Sequence, residues 1–120
     1  MDKKCTIYQT VDFIGKKWTL LILLELYRSK TVRYSELKRG LPNITPKILS
    51  ARLKELEKEK LINKKVDASE FPIKCEYSLT TAGNDFINVI KNIKKWALKW
   101  KINNKVCEEV NCRECSKEIN

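Results

Sequence analysis

The spacing of apolar residues predicts that the first part of the chain is mostly helical. Apolar side chains nearly surround the segment at residues 16–29, so this helix should be buried. A shorter helix before it should cover about Ile7 to Phe13 and break or bend at Gly15. Residues 31–33 favour a short strand, and residues 34–41 favour a short helix that ends at a glycine and a proline.

The segment NITPKILSARLKELEKEK, residues 43–60, predicts a helix with two distinct stripes. Thr45 suits the N-cap, and Pro46 falls at the first helical position, where its missing N–H costs nothing. The leucines that should face a core are Leu49, Leu53 and Leu56. The cations and small residues near the opposite side are Lys47, Ser50, Ala51, Lys54 and Lys58. Arg52 and Glu55 are expected on opposite flanks.

The rest of the chain predicts a β-hairpin and then a long helix. Residues 61–66 alternate partly as a strand, residues 75–80 alternate again, and a polar loop with a proline joins them. Thr80 or Thr81 should cap a helix over residues 81–100. This order of elements is that of a winged helix-turn-helix, a mainly α fold with a small β-hairpin (α+β class).

Charge narrows the class of partner. The net charge is +10, and residues 101–120 hold as many acids as cations, so the excess lies in the first 100 residues. A basic domain of this size favours nucleic acid first and an anionic membrane second, while a merely solvated surface is the alternative. We predict a DNA-binding and dimerisation domain over residues 1–101 and a polar, cysteine-bearing tail over residues 102–120.

Two classes of protein are disfavoured. The chain has no histidine and only three glycines, so neither a catalytic constellation nor a glycine-rich phosphate loop is present. The longest apolar run, Leu20 to Leu26, is far too short to span a membrane, and the first residues lack the apolar segment that would predict a secretion signal. We therefore predict a cytoplasmic binding protein that is neither an enzyme nor a membrane protein.

The outward face of the 43–60 helix suits the major groove of double-stranded DNA. Small residues allow close approach, cations contact phosphates, and short polar groups meet base edges. The alternative is an ordinary amphipathic helix whose lysines are solvated and pair with glutamates four residues away. The hairpin favours DNA, because its lysines could follow the backbone: Lys64, Lys65 and Lys74. The predicted contacts from the helix are Lys47, Ser50, Ala51, Arg52 and Lys54.

Several motifs in a fixed order resemble the HxlR family of winged-helix transcription regulators, relatives of the MarR type. They are IGKKWTLLILLEL, R-Y-S-E-L and Y-S-L-T-x-x-G, and the resemblance runs from Cys5 to about Trp96. It implies a homodimeric, cytoplasmic DNA-binding regulator whose first and last helices form the dimer interface. Tyr34 and Ser35, in the second motif, join the predicted DNA contacts. The tail after Lys101 departs from the family pattern.

An apolar seam on the last helix also predicts a second copy of the chain. Its members recur at steps of four, three, four and three residues: Phe86, Ile90, Ile93, Ala97 and Trp100. A single winged domain cannot easily cover the distal end of such a helix, so a partner should. The first helix should add Ile7, Val11 and Ile14 to the interface.

Five cysteines in a chain without an export signal predict free thiols or a metal site rather than a disulfide framework. Cys5 matches the N-terminal cysteine of the family, which the resemblance implies as a residue sensing oxidants or electrophiles. The alternative for Cys5 is a small residue packed in the dimer interface. Cys75 should share a strand face with Tyr77 and Leu79, which predicts a core role.

Three cysteines in the tail form a spacing of C-x4-C-x2-C: Cys107, Cys112 and Cys115. This matches the first three ligands of a plant-type iron–sulfur signature, and C-x2-C also suits zinc. A fourth ligand would have to come from Cys5, Cys75, a carboxylate or a second chain. A zinc ion or iron–sulfur cluster is thus the candidate cofactor, and a reduced tail without metal is the alternative. A metal or redox protein in which DNA binding is secondary is the second functional class.

Overall fold

The computed structural model describes residues 1–69 and 71–114, and it confirms a mainly helical fold with a small sheet. The elements follow in this order: α1 (Thr6–Ile14), α2 (Lys17–Ser29), β1 (Thr31–Arg33), α3 (Tyr34–Gly40), α4 (Pro46–Lys58), β2 (Ile62–Asp67), β3 (Lys74–Leu79), α5 (Thr81–Trp100) and α6 (Lys105–Glu109). Within the described ranges, no helix is long and apolar enough to cross a membrane.

The predicted starts of the two long amphipathic helices are confirmed. The Ile48 backbone N–H donates to Thr45 Oγ1 at 3.2 Å, and the Gly83 N–H donates to Thr80 Oγ1 at 3.1 Å. Each bond satisfies one of the backbone donors that a helix leaves unpaired in its first turn. Thr80, rather than its neighbour, is therefore the cap of α5. At its other end α4 stops at Lys58, slightly before the predicted residue.

The sheet has three antiparallel strands in the order β1-β3-β2. In the hairpin Ile62 lies opposite Leu79, and the short β1 pairs with the other edge of β3, where Val32 lies opposite Tyr77. Val32, Ile62 and Tyr77 are buried, so one face of the sheet closes the core while the hairpin extends as a wing.

The core lies where α2 crosses α4 and the sheet. Its central helices contribute Ile22, Leu23 and Leu26 from α2 and Leu49, Leu53 and Leu56 from α4. The prediction that α2 is buried is confirmed. The start of α5 packs tightly on this unit, because a Cβ placed on Gly83 would lie 2.1 Å from the carbonyl oxygen of Leu61.

A short helix in the tail is a feature that the apolar pattern did not predict. The backbone N–H of Cys107 donates to Asn104 Oδ1 at 3.1 Å and so caps α6. After α6 the chain folds back, and Cys112 packs against the core. The polar tail is therefore docked on the domain as far as the structure describes it.

Candidate nucleic-acid interface

The helix α4 carries the two predicted stripes on opposite sides. Leu49, Leu53 and Leu56 are buried beneath it. The exposed residues of the other side are Lys47, Ala51, Lys54 and Lys58. The placement of these residues is confirmed, whereas their contact with DNA stays a prediction. The small side chain of Ala51 leaves space between the neighbouring cations, and this space allows the helix to approach a DNA groove closely.

Tyr34 and Ser50, which were both predicted to contact DNA, are in contact with each other. The Tyr34 hydroxyl donates to the Pro46 carbonyl oxygen at 3.2 Å and lies 3.3 Å from Ser50 Oγ. This contact ties the first turn of α3 to the first turns of α4, and it leaves both side chains half-buried. Ser35, the next residue of α3, is exposed. Tyr34 thus fixes the position of α4 in addition to any contact with DNA.

Arg52 and Glu55 lie on the same flank of α4, so the prediction that they lie on opposite flanks was wrong. Arg52 Nη1 is 3.5 Å from Glu55 Oε1, because residues three apart on a helix are only about 60° apart around its axis. Glu55 Oε2 also accepts from Lys16 Nζ at 2.5 Å. Arg52 is therefore engaged in an ion pair, and Lys16 links the α1–α2 junction to α4.

The α1 helix flanks the second half of α4. A groove of about 630 Å³ separates them, and Lys54 and Lys58 line it together with Gln9 and Phe13 of α1. The first half of α4 is consequently its more open part. This agrees with the general use of the N-terminal residues of a recognition helix for base contacts.

The wing lysines project to different faces of the hairpin. Lys64 lies opposite Tyr77, and Lys65 lies opposite Glu76. Since successive strand residues point to opposite faces, the two lysines cannot both follow the same stretch of backbone in the same way. Lys65 has a carboxylate residue as its cross-strand neighbour, whereas Lys64 does not.

An acidic residue at the wing was missed by sequence reasoning. The hydroxyl and the backbone N–H of Ser69 donate to Asp67 Oδ1 at 2.5 and 3.0 Å, and these bonds hold the pKa of the Asp67 carboxyl below its usual value. The positive charges of Lys74 and Lys65 lower this pKa further. Asp67 lies opposite Lys74 in the hairpin, so the wing is less cationic than its lysines alone indicate.

The structure divides the predicted dimer residues into two groups. Ile14, Phe86 and Ile90 pack against the chain's own core. The residues left exposed are Ile7, Val11, Ile93 and Trp100, while Ala97 is half-buried. Val89 and Trp96, missed by the seam, are also 45% and 56% exposed. Around the axis of α5 they lie about 60° and 80° from the centre of the seam, so the exposed apolar surface is wider than the predicted seam.

The cysteines occupy three environments. Cys5 is half-buried at the N-cap of α1, and Cys75 packs against the core, which confirms its predicted core role. Cys107 and Cys112 are half-buried, whereas Cys115 lies outside the described residues. In the part of the chain that the structure describes, no group of three or more metal-ligating side chains comes together. The tail metal site therefore stays a prediction.

Comparison with known proteins places this geometry in a family. The family model of HxlR-like helix-turn-helix proteins matches residues 13–105. The uncharacterised HTH-type transcriptional regulator YdzF of Bacillus subtilis (strain 168) is 44% identical over 97 residues, which are 81% of this chain and 88% of YdzF.

Two solved structures have the same fold. The reduced form of the transcriptional regulator YodB from B. subtilis aligns with a TM-score of 0.72 at 30% identity, over 83% of this chain and 97% of that one. The redox regulator HypR in its oxidised form aligns with a TM-score of 0.71 at 30% identity, over 82% of this chain and 99% of that one. The winged helix-turn-helix fold is thus shared, and the chain belongs to the HxlR-like helix-turn-helix family of transcriptional regulators.

Proposed function

We propose that this protein is a sequence-specific regulator that binds double-stranded DNA as a homodimer. The observation that carries the proposal is the outer face of α4, where Lys47, Ala51 and Lys54 are exposed above a fully buried row of leucines. A helix anchored from below, with cations and a small residue outward, has the form needed to enter a major groove. Tyr34 supports the proposal by holding the first turns of α4 in place.

Within this proposal the residues have different tasks. Lys47 and Lys54 neutralise phosphates, and Ala51 admits the groove close to the helix axis. The Ser50 hydroxyl supplies a short polar group beside them. Arg52 pairs with Glu55, which also accepts from Lys16, so its contribution should be smaller than that of a free cation.

The dimer supplies the second recognition helix. The exposed apolar residues of α1 and α5 support association of two chains, since a surface of this kind is unfavourable in water. A two-fold dimer places its recognition helices one turn of DNA apart, roughly 34 Å, and therefore binds a pseudo-palindrome.

We further propose that the signal is an oxidant or electrophile that modifies Cys5. The relative HypR is described as a redox regulator. Cys5 is half-buried at the start of α1, so an added group would disturb the helix that carries Ile7 and Val11. Such a change would act on the dimer and through it on DNA affinity.

Selection of bound DNA from a random pool, at two salt concentrations and with and without reductant, tests the proposal. We expect a palindromic site whose enrichment survives higher salt, and weaker enrichment after thiol oxidation of the wild type but not of Cys5→Ser. Lys47→Ala should reduce recovery in every condition. Recovery of DNA without any shared sequence would contradict specific recognition, and an equal oxidant response in Cys5→Ser would contradict sensing through Cys5.

A further inference from the structure

Part of the positive charge lies far from the recognition face, on one side of α5. Its members are Lys91, Lys94, Lys95 and Lys99, which line a single cleft. They follow one another at steps of three, one and four residues, so they share one flank of the helix. The proposed DNA interface leaves this cluster without a role.

The cleft exists because the tail docks beside α5. Lys94 Nζ donates to the Val110 carbonyl oxygen at 2.7 Å, and the Arg113 guanidinium carbon lies 4.3 Å from the centre of the Tyr27 ring. Cys112 packs against the core between these two contacts. The resulting cleft has a volume of about 550 Å³, in the range of small-molecule sites.

The lysines of the cleft have no anionic partner in the described structure. Among residues 1–69 and 71–114, no carboxylate oxygen lies within 4.0 Å of any of the four. Glu108 and Glu109 line the tail wall, so the cleft still holds two more cations than carboxylates. Uncompensated charge in a concave site with apolar walls concentrates potential and attracts counter-ions.

Two of these lysines are already held in position. Lys94 is fixed by its bond to Val110, and Lys91 Nζ lies 5.2 Å from the centre of the Tyr27 ring. Leu98 adds an apolar surface to the cleft. Fixed cations beside an apolar surface lose less side-chain freedom on binding than mobile surface lysines do.

The cleft and the apolar seam occupy different sides of α5. The cleft residues span about 140° of the helix surface, from about 20° on the seam side of Ile87 to about 120° beyond it, whereas Ile93 and Trp100 lie about 120° and 140° from Ile87 in the seam direction. A second copy of the chain that covers Ile93 and Trp100 would therefore leave the cleft accessible.

We propose that this cleft binds a compact polyanion, a small molecule bearing phosphate or carboxylate groups, between α5 and the tail. The lysines of α5 neutralise its charges, and Leu98 and Val110 contact its uncharged part. The site does not depend on DNA binding. A ligand there would strengthen the docking of the tail on α5.

Calorimetric titration of the full chain at about 0.15 M salt tests the site, with inorganic pyrophosphate and citrate as separate probes and acetate as a monoanion control. We expect saturable binding of at least one polyanion, one per chain, and no saturation with acetate. The probe that binds more tightly distinguishes phosphate from carboxylate. The absence of saturation with either probe up to about 5 mM would overturn the proposal.

Charge-matched variants separate the cleft from the general basicity of the chain. The double variant Lys95→Gln, Lys99→Gln should weaken binding about tenfold or more, since it removes two nearby cations. Lys95→Arg, Lys99→Arg should restore it. Lys3→Gln, Lys4→Gln removes the same charge from exposed N-terminal residues and should change affinity less than about twofold. Equal losses in the two glutamine pairs would show that only net charge matters and would overturn the site.

Discussion

The helices α4 and α5 are built alike but leave opposite kinds of surface. Each begins at a threonine cap and carries an apolar stripe. The stripe of α4 is buried along its whole length, so what remains outside is cationic. The stripe of α5 is covered only near its start, and Ile93 and Trp100 remain 47% and 65% exposed. A charged outer face thus points to a polyanion, whereas an uncovered apolar face requires another protein surface.

The exposed stripe of α5 is where a single substitution should have the largest effect. Ile93→Asp should separate the dimer, because it places a charge in the apolar interface. Loss of the second half-site should then weaken operator binding by about 100-fold or more. Sedimentation at micromolar concentration and DNA titration measure the two effects.

Asn88→Asp is the matched control for Ile93→Asp. It introduces the same charge at an exposed position about 160° around α5 from the centre of the seam, so the dimer should persist. A wild-type protein that sediments as a monomer at micromolar concentration would contradict the proposed interface.

Substitutions on the outer face of α4 should have the next largest effect. A bulky residue at Ala51, such as Ala51→Trp, should block close approach and change affinity or sequence preference by about 1–3 kcal/mol per altered base contact. Ser50→Ala should shift the preference within the same range. Lys58→Ala should do less, since Lys58 lies at the far end of α4 beside α1. Unchanged affinity and preference in Ala51→Trp would show that another face of α4 meets DNA.

Local signals explain why the elements of the fold could be predicted. A cap such as Thr45 acts within three residues, and the leucine spacing of α4 reports the direction of the core without any knowledge of the partner helix. The extra pairing of β1 with β3 was not predicted, because the partners Val32 and Tyr77 are distant in sequence. Gly83 could be recognised in the sequence as part of a family motif, but the need for glycine at this position could not. The reason is the close approach of α5 to the backbone of Leu61.

The candidate site was predicted less completely, because its details depend on tertiary contacts. Lys16 and Glu55 meet across 39 positions of sequence, and no local pattern reports that contact. Two other details, by contrast, follow from local geometry alone. Helix spacing predicts the pairing of Arg52 with Glu55, and strand alternation predicts that Lys64 and Lys65 point in opposite directions. The tail contact of Arg113 with Tyr27 has no precursor in the apolar pattern.

Substitutions of the wing lysines should have a smaller effect on DNA binding. Lys64→Ala should weaken binding to all DNA sequences alike, by roughly tenfold. It should also reduce by about 1 the salt slope, which is the slope of the logarithm of the binding constant against the logarithm of the salt concentration. Lys65→Ala should lower the slope less, because Lys65 lies opposite Glu76. Titrations at several salt concentrations on two unrelated DNA sequences measure both. A loss confined to one sequence would show that the wing contacts bases.

The smallest effect on DNA affinity is expected from the tail. We predict that Cys107, Cys112 and Cys115 hold a zinc ion or an iron–sulfur cluster rather than a disulfide that folding needs, since three thiols leave one unpaired in any internal scheme. The segment before Cys115 already packs beside α5. Metal binding would order it further and release protons, and it would reach DNA only through the position of α5. Loss of the metal should therefore change operator affinity by about fivefold, the low end of couplings between separate sites.

Elemental analysis of protein purified without oxygen or chelator provides the test of the tail, and an absorbance spectrum distinguishes a cluster from zinc. Cys112→Ser should lose the metal, while Cys5→Ser, the control for a thiol outside the tail, should keep it unless Cys5 is the fourth ligand. Less than about 0.2 zinc or iron per chain, together with unchanged operator affinity in Cys112→Ser, would contradict the prediction. In that case the docked tail would act without metal, as a cover over the α2–α5 side of the core and as one wall of the lysine cleft.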